Sequence, residues 1–193
     1  MLEILFFSYF STIFFLSAGI LFSTRIVGLN IDAKTNFFKI GLYGVIFLSF
    51  IALFVNFFSG LNKNLNTIIL VFFLICIFFL KKEIQKKIFV ISIPVALICC
   101  LLITFENTYR PDAGLYHLPY INILNNEKII IGLSNIHFRF GHTSIIQYVS
   151  AINNNLIFNE MGILIPAAAI FSLFILYLIQ EIKDENNKIL ILF

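Results

Sequence analysis

The chain has 193 residues, 60% of them hydrophobic and only 12% charged, against about 25% charged in an ordinary soluble domain. A soluble core of this size cannot hide so much apolar surface, whereas a bilayer can, because lipid takes the place of the missing core. A net charge of +3 from 13 basic and 10 acidic residues is too weak a field for nucleic-acid binding, and no basic patch is dense enough for it.

The first apolar run, from Ile4 to about Phe22, is too long for a secretory leader and follows Glu3 rather than a basic residue, so it reads as a retained spanning helix. A crossing needs about 20 apolar residues. Five stretches meet or approach this: about 4–24, 38–58, 65–80, 88–104 and 161–180. The third is short and must either sit in a thinned bilayer or borrow Asn64 and Asn66 at its end. A sixth begins at Ile189 and is cut after five residues, which reads as the N-terminal part of a longer protein. Cys76, Cys99 and Cys100 all fall inside apolar runs, so no disulfide framework or zinc motif is expected. Ser8, Ser11, Thr12 and Ser17 in the first span read as helix-packing residues, and Phe72, Phe73, Phe78 and Phe79 in the third as lipid-facing bulk. The expected fold is therefore all-α: one membrane domain, residues 1–193, with five spans, a truncated sixth and one long polar loop at 105–160.

Orientation follows from the basic residues. Arg25, Lys34, Lys39, Lys81, Lys82, Lys86, Lys87, Lys183 and Lys188 lie on one side, which leaves only Lys63, Arg110, Lys128 and Arg139 opposite. The four lysines of the short loop 81–87 make that side cytoplasmic, so the N-terminus and the loop 105–160 fall on the exterior face of a plasma membrane.

The loop holds all three histidines, His117, His137 and His142, and four of the seven tyrosines, Tyr109, Tyr116, Tyr120 and Tyr148. Connections are usually a few residues long, so such a concentration is more than a linker. A short helix is expected after Asp112 or from Pro119, and Asn125-Asn126 marks a break. A second helix is expected from Thr143, with Ile145, Ile146, Val149 and Ile152 on its apolar face and Ser144, Gln147 and Ser150 elsewhere. Both should lie at the membrane surface as amphipathic helices.

The segment Tyr109-Arg110-Pro111-Asp112-Ala113-Gly114-Leu115-Tyr116-His117-Leu118-Pro119 resembles the start of the exterior loop in the GT-C superfamily of membrane glycosyltransferases. The stretch from Ile129 to Gly141 resembles bacterial membrane proteins related to that superfamily. The likeness covers helix 88–104, the loop and helix 161–180. It departs from the family pattern where Ala113 replaces a second acid, and in the three spans that precede. The resemblance implies a polyprenyl-phosphate-linked sugar as donor and an envelope glycan or lipid as acceptor. It implies Asp112 as the catalytic carboxylate, acting on the acceptor hydroxyl or holding a divalent ion. No other cofactor is called for.

Arg110 and Arg139 are candidate phosphate clamps, since a guanidinium fork matches phosphate oxygens; anchoring to lipid head groups is the structural alternative. Tyr116, His117 and His142 complete the expected substrate-binding set. A dedicated metal site is not expected: His137 and His142 are five apart, off the i, i+4 face that paired ligands use. Tyr is also the ordinary interfacial residue, so Tyr109, Tyr116 and Tyr120 have an anchoring alternative. No charge sits near a span's midplane, which argues against an ion pump. A transporter or flippase of lipid-linked sugars, with Pro94 and Pro166 breaking its helices, is the rival expectation, and a non-catalytic membrane subunit a third.

Overall fold

A computed structural model describes residues 1–32, 35–105, 112–141 and 144–192, the last eight of these by their backbone alone. The described residues are helical or irregular, with no strand among them. Helices α2 (Phe37–Asn56) and α4 (Lys82–Thr104) each pack antiparallel to α1 (Leu2–Arg25), and α7 (Ile165–Leu192) follows the polar excursion. The segments Leu2–Arg25, Phe37–Asn56, Lys82–Thr104 and Asn159–Asp184 are long and apolar enough to cross a membrane. The third expected span is α3 (Lys63–Cys76) closed by a 3₁₀ turn, Ile77–Phe79. Together these reach about 27 Å, just under the hydrocarbon thickness, because the tighter 3₁₀ turn rises further per residue.

Helix α1 is the centre of the bundle. Every residue from Ser11 to Ile20 is buried, as expected of a helix that is apolar on all sides and surrounded by other helices. Its serines pack as the sequence implied: Ser17 donates to Phe73 O on α3, and Ser11 Oγ accepts from Asn153 Nδ2 at 3.2 Å. Two glycines set the closeness of α1 and α2. A Cβ on Gly44 would stand 1.8 Å from Phe15 O, and one on Gly19 would stand 1.9 Å from Ile40 O. With no Cβ the two backbones touch, the packing that small residues permit between membrane helices. Phe72, Phe78 and Phe79 face outward as lipid-facing bulk should, but Phe73 turns inward against Phe14, with ring centroids 5.7 Å apart. Its neighbours are one helical position away on the lipid side, so a run of phenylalanines does not reveal which member is core.

Two ends can be distinguished. Arg25, Lys39, Lys81 and Lys82 sit at helix ends on one, where Asn36 Nδ2 donates to Glu181 Oε1 at 3.1 Å and Lys87 Nζ to Thr35 O at 3.2 Å. The polar excursion covers the other. It carries α5 (Leu118–Asn126), preceded by a π-helical turn at Ala113–His117, then two 3₁₀ turns at Leu133–Asn135 and Phe138–Gly141, then α6 (Ile145–Asn153) and a 3₁₀ turn at Asn159–Leu164 that leads into α7.

Two expectations are corrected. Helix α6 does not lie on the surface: every residue from Gln147 to Asn155 is buried, polar and apolar alike. It is wedged among α2, α3, α5 and α7: its Ala151 carbonyl accepts from the Asn66 and Asn125 amides, and its Asn153 Nδ2 donates to Ser11 Oγ. The second correction concerns 181–188, expected as a loop before a truncated sixth span. Here α7 runs unbroken to Leu192. The segment is charged but contains neither Gly nor Pro; Glu and Lys favour a helix, and Asp184, Asn186 and Asn187 each weaken it by less than about 1 kcal/mol. Pro166 does not kink α7, because it stands in the first turn, where its missing N–H has no partner to lose. Helix α4 likewise continues across Pro94.

Candidate functional site

The site begins with a local conflict in the backbone. In an α-helix the N–H of residue 119 would bond to the carbonyl of Leu115, but Pro119 has no N–H and its ring crowds that carbonyl. The chain answers with a widened π turn over Ala113–His117 before regular α5 begins at Leu118. Such turns re-aim side chains and recur at functional positions. Asp112, immediately before the turn, makes no capping bond with its side chain. Its Oδ1 instead accepts from Arg139 Nη1 at 2.8 Å.

Arg139 comes from the 3₁₀ turn Phe138–Gly141, 27 residues further along the chain. Its guanidinium carbon lies 4.8 Å from the Tyr116 ring centroid, a cation–π distance. The Tyr116 and His117 rings are 4.2 Å apart. His117 Nδ1 then meets Gln147 Nε2 on α6 at 3.0 Å. Because Gln147 Oε1 accepts from the backbone N–H of Ser144 at 3.3 Å, the Gln147 nitrogen is the end that faces His117. A donor there requires an acceptor at Nδ1, so the ring proton sits on Nε2. The result is a continuous chain of contacts, Asp112–Arg139–Tyr116–His117–Gln147, from an exposed carboxylate to a buried helix.

Four of the six expected site residues are therefore brought together: Asp112, Tyr116, His117 and Arg139. Arg110 and His142, and Tyr109 beside them, lie outside the described residues. His137 has a local role, since its Nδ1 accepts from the Arg139 N–H at 3.3 Å and shapes the turn. Among the described residues no three of His, Cys, Asp and Glu gather where they could hold a metal ion.

Sequence reasoning missed the amides beneath the site. Asn66 Nδ2 lies within 2.7–2.8 Å of three carbonyls, those of Leu61, Ala151 and Asn154. Asn125 Nδ2 reaches Leu61 O at 2.7 Å and Ala151 O at 3.0 Å, while its Oδ1 accepts from Asn154 Nδ2 at 2.8 Å. Asn56, the last residue of α2, donates to Glu127 O at 2.9 Å, and its own carbonyl accepts from Ile129 N at 2.9 Å. Buried polar groups need partners, and here the partners are the carbonyls at the ends of α5 and α6. These amides lock the excursion onto α2 and α3. The run Asn153-Asn154-Asn155 and the pair Asn125-Asn126 were the available signal, and both read more naturally as turns.

Beside the exposed cluster lies a pocket of about 280 Å³. Tyr120, Phe140 and Tyr148 supply its aromatic wall, and Glu127, Lys128 and Ser134 its polar one. Burial, then a hydrogen bond with Tyr148, pushes the Tyr120 hydroxyl above its ordinary range, so it keeps its proton.

Outward-facing Phe50, Phe54 and Phe174 cover helices long enough to cross a membrane, and Phe72, Phe78 and Phe79 cover the shorter apolar Lys63–Phe79; such a surface belongs to a multi-pass helical membrane protein. Over residues 1–193 the chain matches the model of a family described as a domain of unknown function, DUF8201, and it belongs to that family. It matches no curated protein and no solved structure.

Proposed function

We propose that this protein is a membrane sugar transferase that works at the polar end of its bundle, on a polyprenyl-phosphate-linked donor and a glycan or lipid acceptor. The observation that carries the reading is the Asp112–Arg139 pair. A carboxylate and a guanidinium meet at 2.8 Å on a widened helical turn, with both side chains more than a third exposed. An exposed pair of this kind contributes little to stability, so its value lies in its chemistry. The described contact uses one guanidinium nitrogen, and the fork offers further N–H groups to a phosphate.

In the proposed reaction Arg139 holds the donor phosphate and Asp112 accepts the proton of the acceptor hydroxyl. The hydroxyl oxygen forms a bond to the anomeric carbon, the anomeric carbon–oxygen bond breaks, and its electron pair leaves on the phosphate. One displacement inverts the anomeric centre. Tyr116 backs the guanidinium, and His117, fixed by Gln147, presents a donor at Nε2 to a sugar oxygen. In this reading the basic end of the bundle faces the cytoplasm and the site works at the exterior face of a plasma membrane, as the lysines of 81–87 favour. The unbroken course of α4 across Pro94 favours an enzyme over a transporter, whose sites are built from broken helices.

The test is sugar release from a short-chain polyprenyl-phosphate donor by the full chain in nanodiscs. The proposal expects Arg139→Ala to weaken donor binding by tenfold or more with protein level unchanged. Undiminished donor binding would remove Arg139 from the site.

A further inference from the structure

The pocket beside the ion pair has no role in the reaction above, and its construction specifies a ligand. Three backbone segments that build the exposed cluster also build the pocket: Phe140 follows Arg139, Tyr148 follows Gln147, and Tyr120 is three residues beyond His117. The Tyr120 and Phe140 rings stand 6.0 Å apart at 32°. The wall opposite is held in place by Asn56, which binds the backbone at Leu124, Glu127 and Ile129. Asn56 itself is fully buried in that wall, and its Oδ1 has no donor.

Each feature narrows the ligand. At about 30 Å³ per water, 280 Å³ is room for about nine waters, which suits one six-membered ring with substituents. Aromatic faces accept the C–H face of such a ring. Glu127 and Lys128 are adjacent and of opposite sign, so their charges cancel and select against a charged ligand. The carboxylate of Glu127 and the hydroxyls of Ser134 and the tyrosines call for a ligand rich in O–H groups. We propose that this pocket binds a single neutral polyhydroxylated ring, a monosaccharide unit, next to the Asp112–Arg139 pair. It deepens the transferase reading by giving the sugar its own subsite, but a binding protein could use the same pocket.

The experiment is saturation-transfer NMR on the full chain in nanodiscs, with methyl α-glucopyranoside, methyl α-galactopyranoside and methyl α-mannopyranoside as probes and no donor present. At least one glycoside should give a saturable signal. Phe140→Ala should weaken it at least tenfold and Glu127→Gln, an exposed position that the fold does not need, at least threefold. Asn122→Ala, exposed and outside the pocket lining, should leave it unchanged. No signal from any of the three glycosides, or a signal that neither pocket variant alters, overturns the proposal. Sugar transfer assayed on the same preparation separates the two readings. Transfer without glycoside binding rejects the pocket and leaves the transferase; binding without transfer does the reverse.

Discussion

Gln147 determines the tautomer of His117. Its oxygen is committed to the Ser144 N–H, so its nitrogen must donate to His117 Nδ1, 3.0 Å away. A partly exposed ring in the loop thereby takes its orientation from a helix buried among α2, α3, α5 and α7. The expected outcome is a His117 ring protonated at Nε2, read from its ¹⁵N shifts, with Gln147→Leu giving a mixture of tautomers. A ring protonated at Nδ1 in the unaltered protein contradicts the assignment.

Gly44 tests the centre of the bundle. A methyl group 1.8 Å from Phe15 O has no side chain to push aside, only backbone. Gly44→Ala should therefore separate α1 from α2 and cost about 3 kcal/mol, the upper range for overpacking, measured by denaturant titration in detergent. Gly114→Ala is the control: a Cβ there meets nothing within 4 Å, so stability should stay within about 0.5 kcal/mol.

Asn66 tests the lock under the site. Its Nδ2 lies against the carbonyls of Leu61, Ala151 and Asn154; Asn66→Ala strands the Asn154 carbonyl, while those of Leu61 and Ala151 keep Asn125 Nδ2. The stranded group costs on the order of 1–3 kcal/mol, so the midpoint of unfolding should fall well below that of the exposed-site variant Asn122→Ala. Equal midpoints would mean that the amide contributes nothing.

Tyr120 makes a prediction about alkaline pH. Its hydroxyl titrates above the ordinary value of 10.0 when folded and near about 10 when unfolded. The stability it contributes is thus fully present below about pH 10 and is lost as pH rises toward its folded value. Tyr120→Phe should flatten the alkaline arm of the stability–pH curve; an unchanged arm would show that another group causes it.

How much of this was legible in sequence differs by element. Four of the five expected spans were, because an apolar run of about 20 residues needs no knowledge of its neighbours. The clustering of Lys81, Lys82, Lys86 and Lys87 at one end was as well. Helix α6 was misread for a physical reason. Its isoleucines and valine do form one face, but Gln147 and Ser150 on the other are covered by elements distant in sequence, and periodicity carries no information about what packs on a polar face. The Asp112–Arg139 pair spans 27 residues of irregular chain, so composition offered both partners without their meeting. The same holds for Asn66, read as the edge of a short span and found 0% exposed, bound to the end of α6.

The central claim is that Asp112 takes the proton of an acceptor hydroxyl. The most direct measurement is the rate of sugar transfer from a polyprenyl-phosphate donor by Asp112→Asn in the full chain, compared with the unaltered protein at equal thermal stability. The pair is exposed, so the fold should lose less than about 1 kcal/mol. The rate should fall by about 10²–10⁴-fold, the usual contribution of a general base. Transfer at an unchanged rate would contradict the account.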